Sequence, residues 1–174
     1  MPNPSPQEAM QKTGLRWLWL AILVFAVDMI TKAYVHLNFD LYESIQVLPF
    51  FNFTYARNYG AAFSFLHDAG GWQRWFFTSI AVFVSGVLLY WLKKSPYQEK
   101  WLNAAYTLIL GGAIGNLVDR LYHGFVVDFL DFDFGFYRWP AFNIADSAIC
   151  IGAVIIIIDA LLVKRPEQKD IKND

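Results

Sequence analysis

The chain has 174 residues, room for one domain. Hydrophobic residues make up 56% of it and aromatics 18%, while charged residues fall to 17%. A domain of this size cannot bury so much apolar surface in water, so disorder and an ordinary soluble enzyme are both set aside. A net charge of −1 gives no footing for nucleic acid, and one cysteine, Cys150, excludes an internal disulfide framework and a multi-cysteine metal site.

In chain order, residues 1–11 read as a disordered tail. Residues 15–35 form the first apolar stretch, long enough to cross a bilayer, which takes about 20 helical residues. Lys12 and Arg16 precede it as in a secretory signal. The run is too long for one, and no small-residue cleavage site follows, so it reads as a retained anchor. A long connection follows, β-rich over about 40–66. There Phe51-Asn52-Phe53-Thr54-Tyr55 alternates like a strand, and Asn58-Tyr59-Gly60-Ala61-Ala62 supplies turn residues. Further apolar spans are predicted at 75–92, 101–121 and 141–163. The last contains Ile155-Ile156-Ile157-Ile158. Lipid forces backbone groups to pair within a segment, which favours helix for this β-branched run. Residues 122–140 form a shorter connection, and residues 166–174 a second disordered tail. The expectation is a single-domain, all-α integral membrane protein, with four transmembrane helices and a small extracytoplasmic β element.

Basic residues set the orientation. Lys12, Arg16, Lys93, Lys94, Lys100, Lys164, Arg165, Lys169 and Lys172 all fall on one side, whereas the other side has only Arg57, Arg74 and Arg138 in its loops. Both termini are therefore expected in the cytoplasm.

Polar residues inside the spans need a reason, because a central charge costs roughly 2.5–3.5 kcal/mol on insertion scales. Asp28 and Lys32 stand at i and i+4, a spacing that lets opposite charges pair. In the third span Gly112, Asn116 and Arg120 share one face, Gly111 and Gly115 permit close helix approach, and Asp119 sits beside Arg120, which can neutralise it. In the fourth span Asn143 and Asp146 share a face. If the helix starts at residue 141, Asp146 lies five residues inside it, roughly 7–8 Å below its outer end, with no base nearby on its own helix. Asp128 lies in Gly124-Phe125-Val126-Val127-Asp128-Phe129-Leu130-Asp131-Phe132-Asp133. Were this segment extended, Asp128 would sit on an apolar side while Asp131 and Asp133 faced water; a helix there would void that parity. His36, His67 and His123 show no ligand spacing, so no metal is expected. Cys150, four residues after Asp146, reads as a small hydrophobe.

Asp128 and Asp146 both belong near the outer membrane face. Two close carboxyls cannot both ionise cheaply, so they titrate as a pair with one proton between them. Such a pair can activate water and protonate a leaving nitrogen with no metal or cofactor. Spacing alone leaves open a small transporter or a membrane scaffold.

At these residues the sequence resembles the lipoprotein signal peptidases, or signal peptidase II family. The resemblance runs from Leu15 to Val163. Its marks are Asp28 with Lys32, Ala56-Arg57-Asn58-Tyr59-Gly60-Ala61-Ala62-Phe63, the block from Gly111 to Arg120, Gly124-Phe125-Val126-Val127-Asp128-Phe129, and Phe142-Asn143-Ile144-Ala145-Asp146. It implies a multi-pass aspartic endopeptidase of the bacterial inner membrane, without cofactor, its site near the periplasmic face. Such enzymes cut prolipoproteins on the amino side of a diacylglyceryl-modified cysteine. It also implies catalytic Asp128 and Asp146, and substrate- or inhibitor-binding Asn58, Gly112, Asn116, Arg120 and Asn143. Asp28, Lys32 and Asp119 would be supporting residues. The outer β element would be a cradle closing over substrate, with membrane lipids and the cyclic peptide inhibitor globomycin as further partners.

Overall fold

The computed structural model describes residues 13–60 and 70–162. Both tails, the basic residues within them, and Ala61, Ala62, Phe63 and His67 lie outside the described residues. Among the described residues four helices are long and apolar enough to cross a membrane. They are α1 (Leu18–Asn38, entered through a 3-10 turn at Gly14–Trp17), α2 (Trp72–Lys94), α3 (Lys100–Tyr122) and α4 (Ile144–Leu162). The protein is thus a four-span membrane protein with a small antiparallel sheet.

The central helix is α3, with more than half of its apolar window buried against about a quarter or less in the others. It packs on α1, α2 and α4, and glycine makes the close approaches possible. A Cβ at Gly111 would stand 2.7 Å from the Ala21 carbonyl oxygen, one at Gly112 only 2.4 Å from the Ala145 carbonyl oxygen, and one at Gly115 within 2.4 Å of Asp28. A small core of Ala21, Leu88, Leu92 and Leu110 fills the space between α1, α2 and α3. The outward faces carry Ile22, Ile30, Phe83, Val154 and Ile157, all exposed from the chain, as lipid-facing residues are.

The sheet has strands β1 (Ser44–Leu48), β2 (Phe51–Asn58), β3 (Val126–Asp133) and β4 (Arg138–Phe142), in that order and antiparallel throughout. The alternation at residues 51–55 marks β2, and residues 122–140 contribute an equal half of the sheet. β2 pairs Ala56 with Asp128 and Asn58 with Val126. Irregularities in each ladder bend the strands. Val35 of α1 packs with Tyr55, Phe125, Val127 and Phe129, which fastens the sheet to the helix ends.

Two expectations are corrected by the sheet. Residues 138–142 pair with β3 and are not helical, so the fourth span starts at Ile144 rather than 141. Asp131 does not face water. It is buried and accepts from Thr54 Oγ1 at 2.7 Å, while the Arg138 guanidinium bonds both of its oxygens. Ser44 continues the chain to Thr54 at 2.7 Å, so one polar line crosses all four strands. Arg138 holds the Asp131 carboxyl below the usual carboxylate range against the opposing effect of burial.

Candidate active site

Asn143 is the hinge of the site. It follows β4 directly, and its Oδ1 accepts the Asp146 N–H at 2.9 Å, the side-chain cap that starts α4. Asp146 consequently lies in the first turn of α4, not five residues deep. The same amide turns its Nδ2 to Asp128 Oδ1, 2.7 Å away, and more weakly to the Val127 carbonyl at 3.3 Å. One neutral side chain thereby ties the helix of one acid to the strand of the other.

Asp128 is buried on β3. Its second oxygen accepts from Asn58 Nδ2 at 3.0 Å. Burial, and then the neighbouring Asp146 carboxylate, push the Asp128 carboxyl up to about 8 against the pull of the two amides. Asp146 Oδ1 accepts from Asn116 Nδ2 at 2.8 Å. Three amides from three elements therefore hold two carboxyls.

Arg120 reaches the rim. Its guanidinium donates to the Gly60 carbonyl at 3.0 Å and the Asn116 carbonyl at 3.3 Å, with Phe77 beneath it. Asn58 Oδ1 accepts the Gly60 N–H at 3.0 Å, so the end of β2 is tied from two sides. Asp119 does not pair with Arg120. Consecutive residues on a helix point about 100° apart, and Asp119 instead meets Lys32 Nζ at 3.3 Å and the Val127 N–H at 3.0 Å. Lys32 also bonds Asp28 at 2.7 Å, giving the ion pair that the i, i+4 spacing suggests. Gly112 stays apart from the acids, where its lack of a side chain admits α4.

Asn58, Asn116, Arg120, Asp128 and Asp146 share the wall of a cavity of about 900 Å³, open to the outside. Its polar end is this group. Phe132, Phe142, Ile149 and Cys150 make the rest of the wall largely apolar. Cys150 lies on the Asp146 side, as its spacing suggests. The contribution of β4 to the wall is invisible in the sequence, because no alternation marks Arg138-Trp139-Pro140-Ala141-Phe142. His36 and His123, far apart in the chain, meet with ring centroids 4.7 Å apart and their planes tilted by 53°. Among the described residues no three His, Cys, Asp or Glu side chains converge as a metal site would require.

Four membrane-length helices, a sheet of four strands and two carboxyls, Asp128 buried and Asp146 half-buried, on one cavity define the chain as an integral membrane protein with an enzyme-like site. The family model for signal peptidase (SPase) II matches residues 20–162. The lipoprotein signal peptidase of Shewanella amazonensis is 61% identical over 163 residues, covering 94% of this chain and 97% of the relative. That of Psychromonas ingrahamii is 60% identical, covering 91% of each chain. A solved bacterial membrane enzyme, determined by the in meso method at 2.3 Å resolution, superposes with a TM-score of 0.77 at 34% identity, covering 87% of this chain and 93% of that one. The chain belongs to the signal peptidase II family, a family of membrane peptidases.

Proposed function

We propose that the chain is an aspartic endopeptidase of the bacterial inner membrane. It removes signal peptides from diacylglyceryl-modified prolipoproteins, cutting on the amino side of the lipidated cysteine. Both termini lie in the cytoplasm and the sheet lies at the periplasmic face. One observation carries this reading: two carboxyls from separate elements meet one cavity, and one of them is held near 8.

In this reading the pair holds one proton, assigned to Asp128, and Asp146 is the accepting member. Asp146 takes a proton from water as its oxygen attacks the scissile carbonyl carbon. Asp128 donates a hydrogen bond to the carbonyl oxygen, and a proton then passes to the leaving nitrogen as the C–N bond breaks. The cavity's polar end suits a peptide backbone, which Asn58 and Arg120 can bond, and its apolar wall suits acyl chains. A globomycin-type cyclic peptide would fill the same space. Asn58, Asn116, Arg120 and Asn143 are thus binding or orienting groups, and Gly112 serves by letting α4 approach. A transporter would need polar groups along the whole bilayer, whereas the buried charges here gather at one end. A scaffold would gain nothing from a buried acid held near 8.

The test is cleavage of a lipidated prolipoprotein peptide by the purified chain in detergent. Asp128→Asn and Asp146→Asn should each lose turnover by at least about 10²–10⁴-fold while remaining folded, and activity should survive EDTA. Asp119→Asn should act through stability. Equal and complete loss in all three, at unchanged thermal stability, would remove the dyad assignment.

A further inference from the structure

Behind the two acids lies a second buried charge cluster, Asp28, Lys32 and Asp119. Each member bonds a group adjacent to, or in contact with, one of the pair. Asp28 Oδ1 accepts the N–H of Ala145, the residue before Asp146, at 2.8 Å. Asp119 accepts the N–H of Val127, the residue before Asp128, at 3.0 Å. Lys32 Nζ donates to Asn116 Oδ1 at 2.8 Å, and it is Asn116 Nδ2 that bonds Asp146.

The chemistry of these groups makes the last contact directional. An ammonium only donates, so the Asn116 amide must turn its oxygen to Lys32. Its NH2 is then the end that faces Asp146. Lys32 Nζ donates to Asn116 and stands in ion-pair contact with Asp28 at 2.7 Å and Asp119 at 3.3 Å, so these three groups surround its charge. A longer contact from Asn143 Nδ2, at 3.4 Å, reaches the same Asn116 oxygen. An NH2 aimed at a carboxyl favours the form that accepts. Were the amide reversed, its oxygen would face Asp146 and the bond to a charged carboxylate there would be lost.

We propose that Lys32 is a positioning residue for hydrolysis: it locks the Asn116 amide so that Asp146 remains the accepting member of the pair. The inference rests on the dyad reading above and adds what fixes the Asn116 contact to Asp146. Lys32 lies outside the wall of the cavity that holds the acids and bonds neither acid; its hydrogen-bonded link to Asp146 runs through Asn116.

A single Lys32→Met change would leave two buried carboxylates unpaired, so the experiment uses an Asp28→Asn background, in which the double variant keeps the cluster's net charge. Turnover of a lipidated prolipoprotein peptide is measured in detergent for Asp28→Asn alone, with Lys32→Met, with Asn116→Ala, and with both. Thermal unfolding is followed in parallel. Misplacement of a catalytic group costs on the order of 100-fold, so Lys32→Met should lower kcat about that much per folded molecule, with KM within about threefold. In the Asn116→Ala background the same change should cost less than about twofold, because a residue acting through Asn116 has nothing left to act on. Losses that multiply across the two sites, a kcat equal to that of Asp28→Asn, or a rise in KM alone would overturn the proposal. Asp128→Asn in the same assay separates the levels. Persistent turnover there overturns the dyad and this inference together, whereas its loss beside an unaffected Lys32→Met variant overturns the relay alone.

Discussion

Replacing Asp128 by Asn should cost the protein its activity and, at neutral pH and above, lessen a burden on its fold. The Asp128 carboxyl rises from its ordinary 3.8 to about 8, chiefly through burial and then through Asp146. A carboxyl raised in the folded state contributes its full stability below about 3.8, and loses it as the pH climbs toward the folded value, because the unfolded chain releases the proton first. Each pH unit in that window is worth about 1.36 kcal/mol. Between pH 5 and pH 8 the wild type should therefore lose about 4 kcal/mol that an Asn does not lose. For a chain of this length that corresponds to roughly 8–16 °C in melting temperature. The substitution also sets an NH2 against Asn58 or Asn143, a pH-independent cost of about 1–3 kcal/mol. The diagnostic quantity is thus the change with pH and not the offset. Thermal unfolding of both proteins in detergent from pH 5 to pH 9 measures it. The variant should gain on the wild type up to about pH 8 and run parallel above. A constant difference across the whole range would refute the placement of a raised carboxyl at Asp128.

Three further outcomes follow from the packing and hydrogen bonds. Gly112→Ala should destabilise the fold by about 1–3 kcal/mol, because the new Cβ would meet the Ala145 carbonyl oxygen at 2.4 Å; an unchanged melting temperature would show that α3 and α4 are not so close. Asp131 behaves oppositely to Asp128: Arg138 holds it low, so its contribution is present above its ordinary 3.8 and is lost as the pH falls through its lower folded value. Asp131→Asn should accordingly flatten the acid side of the stability curve, and the same acid-side curve in both proteins would count against the four-strand polar line. Asn58→Ala should weaken binding of a globomycin-like inhibitor several-fold or more with the fold intact, measured by displacement of a labelled inhibitor; wild-type affinity would leave Asn58 a residue that only satisfies its own turn.

The spans were legible because lipid imposes one rule on them, namely length without charge, and each boundary falls within a few residues of its expected place. The strand at Phe51–Asn58 was legible from alternation. Its partners were not, since β3 is largely buried on both sides and carries acids on both, β4 has no period, and their pairing depends on contacts across the sheet. The false start of the fourth span has the same origin: Ala141 and Phe142 are apolar, but strand pairing claims them before the cap at Asn143 lets a helix begin. The acids and amides could be picked out one by one as polar residues in apolar surroundings. Their connections could not. Asp119 sits beside Arg120 in sequence yet bonds Lys32 across to another helix, because the helical turn separates neighbours and unites distant chains. Asp131 was misread for a related reason, since the residue that covers it, Arg138, arrives from beyond the next turn.

The choice of asparagine around the pair has a chemical logic. Asn58, Asn116 and Asn143 come from a strand end, a mid-membrane helix and a helix cap, and all bond one of the two acids. An amide carries no charge, and it can offer either N–H or oxygen. It therefore satisfies a carboxyl without adding a positive charge that would drive both acids to ionise. A lysine or arginine in any of these places would favour two charged carboxylates and remove the acid of the reaction. Among the described residues no cation lies within ion-pair distance of Asp128 or Asp146; the ion pairs formed are those of Lys32 with Asp28 and Asp119, and of Arg138 with Asp131. Lys32 and Arg120 stand one amide away, near enough to bias the pair and orient its partners, too far to quench it. The separation keeps the ions off the acids: Lys32 holds the Asn116 amide, and that amide holds Asp146, while backbone N–H groups hold the amides of Asn58 and Asn143.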